Sequence, residues 1–380
     1  MKVALLTDGI WPFVIGGMQR HSYMLCKALA AHAVDVVLLH PQMDEQSRQT
    51  LKDLFTQQEW AHIRWMEVNK PRTHRFPGHY VYESYQYARN AWKTLEASGE
   101  QVDFVYAKGL TGWYALRHKK KDFPPIGINI HGYEFVQRQA NWKERMNARM
   151  LYRPFRYINR KADYVFSYGG AITSYAVQLG VARQKIIEIP GAVDDSWITQ
   201  QLLPKSGRRK FIFVGRYERR KGIQELTGVV QELLRTFDFE FHFVGAIGEA
   251  LQLKDPRVTY HGVLKTREAI VQLLDAAHVL VCPSYSEGMP NVILEAMSRG
   301  CPAIASNVGA VSLMVNEDTG WLIEPASYQS LKKAMEAAIH IPNHRLQIKS
   351  AKALELIKNK FTWNSVGKLT VETLQRLSAR

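Results

Sequence analysis

The chain states one theme twice: a short apolar run, a glycine-bearing loop, a helical stretch and another apolar run. Residues 2–7 (KVALLT) lead through a loop holding glycine and proline into a helical pattern over about 20–31, and 34–39 (VDVVLL) reads as a second strand. Strand, loop, helix, strand is the opening of a parallel α/β sheet, whose strands are covered on both faces and so read as continuous apolar runs. Runs at 104–107, 126–130, 164–167 and 186–189, each beside helix-like sequence, continue it. After Pro190 come the loop GAVDDSW and a polar basic stretch ending at Lys210, and then the theme restarts. Strands are expected at 211–215, 239–244, 279–282, 302–305 and 321–323, with helices over 222–237, 266–277, 291–299 and from 326 onward. The expected fold class is α/β, with two Rossmann-like halves and a boundary near 190–208. A length of 380 residues agrees, because single cores stop growing at roughly 250–300 residues. Ligands of such sheets bind beyond the carboxyl ends of the strands, so two facing sheets place a site in the cleft between them.

Composition narrows the function classes. Apolar residues at 46% and charged residues at 22% argue against disorder, collagen and coiled coil. No stretch approaches the ~20 apolar residues of a spanning helix, and Asp8 interrupts the first apolar run, so a cytoplasmic protein is expected. Cys26, Cys282 and Cys301 form no C-x-x-C pair and read as buried thiols. The net charge of +15 is concentrated: 101–160 carries twelve Lys or Arg against four acids, and 201–221 carries eight against Glu218 alone. Anionic partners follow, with nucleic acid, anionic lipid and nucleotide phosphates all qualifying. Over 142–161 basic residues alternate with Trp142, Met146, Met150, Leu151, Tyr152, Phe155, Tyr157 and Ile158. That pattern suits an interfacial amphipathic helix kinked at Pro154, and equally a packed helix with a solvated basic face. The run RHKKK at 117–121 adds cations for an anionic membrane surface.

Four motifs carry chemistry. In S-Y-S-E-G-M-P-N-V-I-L-E-A-M, Glu287 lies in a loop and Glu295 on a helix starting near Asn291. Carboxylates accept paired hydrogen bonds from vicinal hydroxyls, Gly288 permits close backbone approach, and free N–H groups at the helix start favour a phosphate. In F-I-F-V-G-R-Y-E-R-R-K-G a strand runs into Gly215, then Arg216, with Lys221 five residues on; a planar fork and a point charge together clamp a diphosphate. Arg219 and Arg220 are read as solvated. Gly16 and Gly17 follow the first strand, where backbone amides reach phosphate, although neither G-x-G-x-x-G nor the P-loop pattern occurs. His131, next to Gly132 and near Glu134, sits just past a strand end, a catalytic address in α/β sheets. Taken singly, each has an ordinary reading: surface glutamates, a solvated basic loop, a structural histidine. The sequence has no D-x-D, no H-E-x-x-H and no spaced Cys/His set, and the adjacent Asp194 and Asp195 point apart, so no protein-bound catalytic metal is expected.

Together Gly16-Gly17, His131-Gly132, G-R-Y-E-R-R-K-G at 215–222 and E-G-M-P-N-V-I-L-E at 287–295 resemble the retaining glycosyltransferases of family 4. A-D-Y-V at 162–165, G-A-V-D at 191–194 and the P-S before the glutamates extend the resemblance from residue 3 to about 325. It implies a GT-B fold, with an acceptor-binding domain over 1–190 onto which a last helix at about 362–380 packs back, and a nucleotide-sugar domain over 191–361. By position it implies that Glu295 holds the ribose hydroxyls, Glu287 faces the donor sugar, Arg216 and Lys221 take the diphosphate, and Gly17 offers its backbone to phosphate. His131 falls near the anomeric carbon, backbone groups of Met289, Pro290 and Asn291 face sugar or phosphate, and the loop at Gly262 and Val263 contacts the base. The implied chemistry needs no cofactor and no metal beyond the nucleotide diphosphate sugar. It retains anomeric configuration by front-face attack, the leaving phosphate assisting, without a protein nucleophile. Ala31-His32 and Ala277-His278 depart from the family's Gly-His and Ala-Asp, at positions that concern turns and packing. The expected function is transfer of a sugar from a UDP- or GDP-linked donor to a glycan or lipid-linked acceptor, in cell-surface polysaccharide or lipopolysaccharide synthesis, at the inner membrane face. The alternatives are another reaction on sugar nucleotides, epimerisation or phosphorolysis, and a basic nucleic-acid-binding protein, which lacks any recognisable reading module.

Overall fold

A computed structural model describes the chain except for Ile15, Arg75, Pro77, Ala140 and Arg380. The first half is a parallel sheet of β1 (Lys2–Leu6), β2 (Asp35–Pro41), β3 (Ile63–Val68), β4 (Phe104–Lys108), β5 (Ile126–Asn129), β6 (Tyr164–Ser167) and β7 (Ile186–Glu188), ordered β3-β2-β1-β4-β5-β6-β7. The second is a parallel sheet of β8 (Arg209–Val214), β9 (Phe239–Val244), β10 (Val258–Tyr260), β11 (Val279–Cys282), β12 (Ala303–Ser306) and β13 (Gly320–Ile323), ordered β10-β9-β8-β11-β12-β13. The central strands are apolar throughout because both faces are covered: Val3, Ala4, Leu5 and Leu6 have no exposure, nor do Val279 and Leu280.

The edge strands β3 and β10 were not anticipated. The sequence of β3, IRWMEV, puts Arg64 and Glu67 among apolar residues, and β10 holds three residues, none of them buried. An edge strand has a partner on one side only, so its sequence lacks the unbroken apolar run that marks the interior.

The chain crosses between the halves twice. Val193 donates its N–H to Phe361 and accepts from Trp363, a short parallel bridge that seats the outgoing and returning segments side by side. The returning helix, Trp363–Ser378, packs against helix Gly17–Ala31: Val366, Val371, Leu374 and Leu377 share a buried cluster with Leu25, Cys26 and Leu29. Helix Asn343–Lys360 covers helix Asn291–Ser298 in the second half. All three cysteines are buried and free. Among the described residues no helix is long and apolar enough to cross a membrane.

Candidate active site

The order of the first sheet reverses between β1 and β4, and that of the second between β8 and β11. At such switch points the loops diverge and leave a crevice. The motifs fall there: Gly16-Gly17 after β1, 215–222 after β8 and 283–291 after β11, with His131 after the adjoining β5. They line one cleft of about 770 Å³, which takes in Gly16, Gly17, His131, Gly215, Arg216, Lys221, Glu287, Gly288, Met289, Pro290, Asn291 and Glu295. Gly262 and Val263 are not part of this lining: Val263 is 67% exposed, and the Gly262 carbonyl accepts from the Gly245 N–H at 2.8 Å.

Glu287 is 7% exposed and well partnered. It accepts from Lys221 Nζ at 2.6 Å and from Ser284 Oγ at 2.7 Å, with Arg220 3.7 Å away. Burial pushes its carboxyl up, but Lys221 and Arg220 with these hydrogen bonds outweigh that and leave it below the usual range. Arg220, read from sequence as solvated, therefore belongs to the site. Arg219 is not solvated either: it grips Glu225 at 2.5 and 2.7 Å and the Tyr285 hydroxyl at 2.6 Å, which braces the loop. Arg216 is the opposite case, a side chain 75% exposed whose Nε meets Glu218 at 3.0 Å. It stands at the cleft mouth, apart from the Lys221–Glu287 pair.

Glu295 sits on helix Asn291–Ser298, whose first residues line the cleft and whose start carries no side-chain cap, leaving backbone N–H groups for an anion. Its carboxylate pairs with Arg20 of the first half at 2.5 Å, and the Arg20 guanidinium lies over Trp197. Arg20 went unnoticed in the sequence because nothing local marks it; its only signal is a place one turn after Gly17. The halves approach closely at Gly288, where a Cβ would fall 1.9 Å from the His131 carbonyl oxygen. Gln137 bonds the backbone of Glu287 in both directions, at 2.7 and 3.2 Å. Gly309, at φ +56°, tolerates a left-handed turn that brings it against the carbonyls of Glu287 and Gly288.

His131 presents neither ring nitrogen to the cleft. Its Nδ1 meets the Tyr168 hydroxyl at 2.5 Å and its Nε2 faces Lys108 Nζ at 3.3 Å. Glu134 folds back over Gly132, open to the water of the cleft yet walled in by protein at longer range. That desolvation pushes its carboxyl up, with Arg220 opposing. The helix over the basic stretch, Trp142–Lys161, runs through Pro154. Phe155 stacks on Phe135 toward the cleft, while Trp142, Met146 and Met150 stay 66%, 54% and 40% exposed. None of the twelve cations of 101–160 lines the cleft. Among the described residues no group of three or more His, Cys, Asp or Glu is arranged to hold a metal ion.

The model for Glycosyltransferase Family 4 matches residues 15–197, and that for Glycosyl transferases group 1 matches residues 208–340. Glycogen synthase of Mycobacterium tuberculosis is 23% identical over 395 residues, covering 98% of this chain and 94% of the relative. Among solved structures, sucrose-phosphate synthase from Thermosynechococcus elongatus superposes with a TM-score of 0.77 at 19% identity, covering 100% of this chain and 99% of the other. The Anabaena protein HepE, solved in complex with UDP-glucose, gives a TM-score of 0.68 at 17% identity and covers 99% of this chain and 100% of its own. These likenesses establish a shared GT-B fold.

Proposed function

Since the chain belongs to glycosyltransferase family 4, and is a glycosyltransferase, we propose that it moves a sugar from a nucleotide diphosphate donor, UDP- or GDP-linked, to a glycan or lipid-linked acceptor with retention of anomeric configuration. The observation that carries this reading is the gathering of Arg216, Arg220, Lys221, Glu287 and Glu295 on the wall of one cleft facing Gly16 and Gly17. Glu295 accepts the ribose hydroxyls once Arg20 releases it, and the uncapped helix start with Lys221 and Arg220 takes the diphosphate. Arg216 closes on the diphosphate from the mouth. Glu287, held ionised by Lys221, accepts hydroxyls of the donor sugar. Gly288 keeps the backbone near enough to the first half for sugar and acceptor to meet beside His131.

In the transfer step the bond from anomeric carbon to phosphate oxygen breaks and a bond to the acceptor oxygen forms on the same face. The acceptor's proton passes to the departing diphosphate, whose growing charge is met by the three cations and the helix amides. With charge stabilisation supplied this way, transfer is independent of added metal. The relatedness to a glycogen synthase favours polysaccharide synthesis. The exposed Trp142, Met146 and Met150 among arginines favour peripheral contact with an anionic membrane surface that presents the acceptor.

A thermal-shift screen of nucleotide sugars identifies the donor, because a ligand at about 100 times its Kd stabilises by about 2.7 kcal/mol. Transfer is then followed by the anomeric proton coupling of the product. Glu295→Ala and Lys221→Ala are expected to abolish transfer while both fold; full activity in both refutes the assignment. A product of inverted configuration refutes retention, and a free sugar phosphate or an epimerised donor sugar as sole product refutes transfer.

A further inference from the structure

Lys108, the last residue of β4, is fully buried and has no part in the transfer step above. Its Nζ lies 2.7 Å from His21 Nδ1, 2.9 Å from Asn129 Oδ1 and 3.3 Å from His131 Nε2, and 5.1 Å from the centre of the Tyr106 ring. Among the described residues no carboxylate is paired with it. Asn129 spends its own N–H on the Phe166 carbonyl at 3.1 Å, which turns its Oδ1 toward the lysine. That oxygen can only accept, so one N–H of Lys108 is committed to it, and what remains of the nitrogen's bonding faces two imidazoles.

Both imidazoles line the cleft, and Lys108 lies behind them. His21 comes from helix Gly17–Ala31, next to the Gly16-Gly17 turn, and packs edge-on against His131 with ring centres 5.0 Å apart. Through Lys108 the turn after β1 is thus tied to the loop after β5. We propose that Lys108 is a positioning residue: its buried amine fixes the tautomer and orientation of His131, and with Tyr168 on the other nitrogen it leaves that ring no free site from which to act as a base. His131 then offers the donor a fixed neutral ring beside its carbonyl, and the proton of the acceptor has no imidazole to go to. The purpose of this device rests on the transfer reading; its test rests on the hydrogen bonds alone.

The groups against His131 are Lys108 on β4, His21 on the helix and Tyr168 beyond β6, and Glu134 on its own loop and the Lys221–Glu287 pair line the same cleft. Among the described residues no carboxylate is bonded to the ring. Burial first, then Lys108 and then His21, holds the imidazole well below its ordinary range.

The experiment is histidine-selective ¹⁵N NMR on the ligand-free full chain between pH 5 and 8, with His131 assigned by its loss in His131→Gln. The wild-type ring is expected to stay neutral throughout, in a single tautomer. In Lys108→Met, which keeps the volume and removes the nitrogen, Nε2 is released, and the ring is expected to average its tautomers or begin to titrate. Titration of wild-type His131 near its ordinary ~6.5 overturns the proposal, as do ring nitrogen shifts unchanged by Lys108→Met. Titration in the wild type overturns the proposal even if the variant fails to fold. With the donor that the screen selects, Lys108→Met is expected to lower kcat by about 10- to 100-fold with KM little changed. The loss should shrink when His131 is already Ala; equal losses in both backgrounds show that Lys108 does not act through the ring. Intact NMR behaviour without any sugar transfer refutes the transfer reading and leaves the positioning role standing.

Discussion

Lys221→Met probes the site most directly, because the lysine has two roles that separate by assay. At 2.6 Å, and with an effective dielectric of about 20, its attraction for Glu287 is of order 6 kcal/mol before desolvation. Removing one partner of a buried pair costs about 3–5 kcal/mol. Here Ser284 and Arg220 still face Glu287 and the Lys221 side chain is 18% exposed, so about 2–3 kcal/mol is expected. Over 380 residues that is a fall in Tm of roughly 3–4 °C. The sign with pH follows from the depressed carboxyl of Glu287: its stabilisation is present above the ordinary carboxylate range and is lost as pH falls through the folded value. The gap between wild type and Lys221→Met should therefore close below about pH 4. Urea unfolding of wild type, Lys221→Met, Glu287→Gln and the double variant at pH 7 gives the coupling directly. A coupling near 2 kcal/mol is expected; additivity within about 0.5 kcal/mol refutes the pairing. Transfer must drop by about 10²–10³ in Lys221→Met and must not return in the double variant, since the diphosphate contact is still missing.

Gly288→Ala places a methyl against the His131 carbonyl, with no room between the halves, and should cost at least about 1–3 kcal/mol or widen the cleft; unchanged Tm and scattering profile would count against the close approach. Glu295→Ala should weaken UDP or GDP binding by about 10- to 100-fold from the loss of charge-assisted hydrogen bonds, while the 2′-deoxy nucleotide should lose less; calorimetry reads both, and equal losses remove Glu295 from the ribose. Burial holds His40 and His278 at about 4, so the unfolded chain takes up their protons first as pH falls from about 6.5 to about 4. Stability should decline through that window by up to about 1.4 kcal/mol per unit for each histidine; a flat urea midpoint there contradicts it. Burial raises all three thiols, Cys282 to about 11, so the native protein should resist a thiol-disulfide reagent at pH 8 and titrate all three cysteines once denatured.

What was legible in the sequence is what a linear pattern can carry. The buried strands announced themselves as apolar runs, and the short-range motifs at 215–222 and 287–295 fixed which loops meet. Contacts between distant segments left no such mark. Arg20 on Glu295, Gln137 on Glu287 and Lys108 between two imidazoles each join residues far apart in the chain, and only the folded sheets bring them together. Arg219 and Arg220 illustrate the same limit locally. Their neighbours in sequence said only that the loop is basic, whereas Glu225, Tyr285 and Glu287 decide which of them braces the loop and which faces the cleft.

Helix Trp363–Ser378 is synthesised after the entire second sheet, yet its apolar face seals Leu25, Cys26 and Leu29, which leave the ribosome near the beginning. During translation the earlier-made lobe must wait with that surface bare until these 16 residues emerge. A stalled or shortened product therefore exposes a sticky flank on the lobe that was finished first, and quality control would meet this enzyme there, at the opposite end of the gene from the lesion.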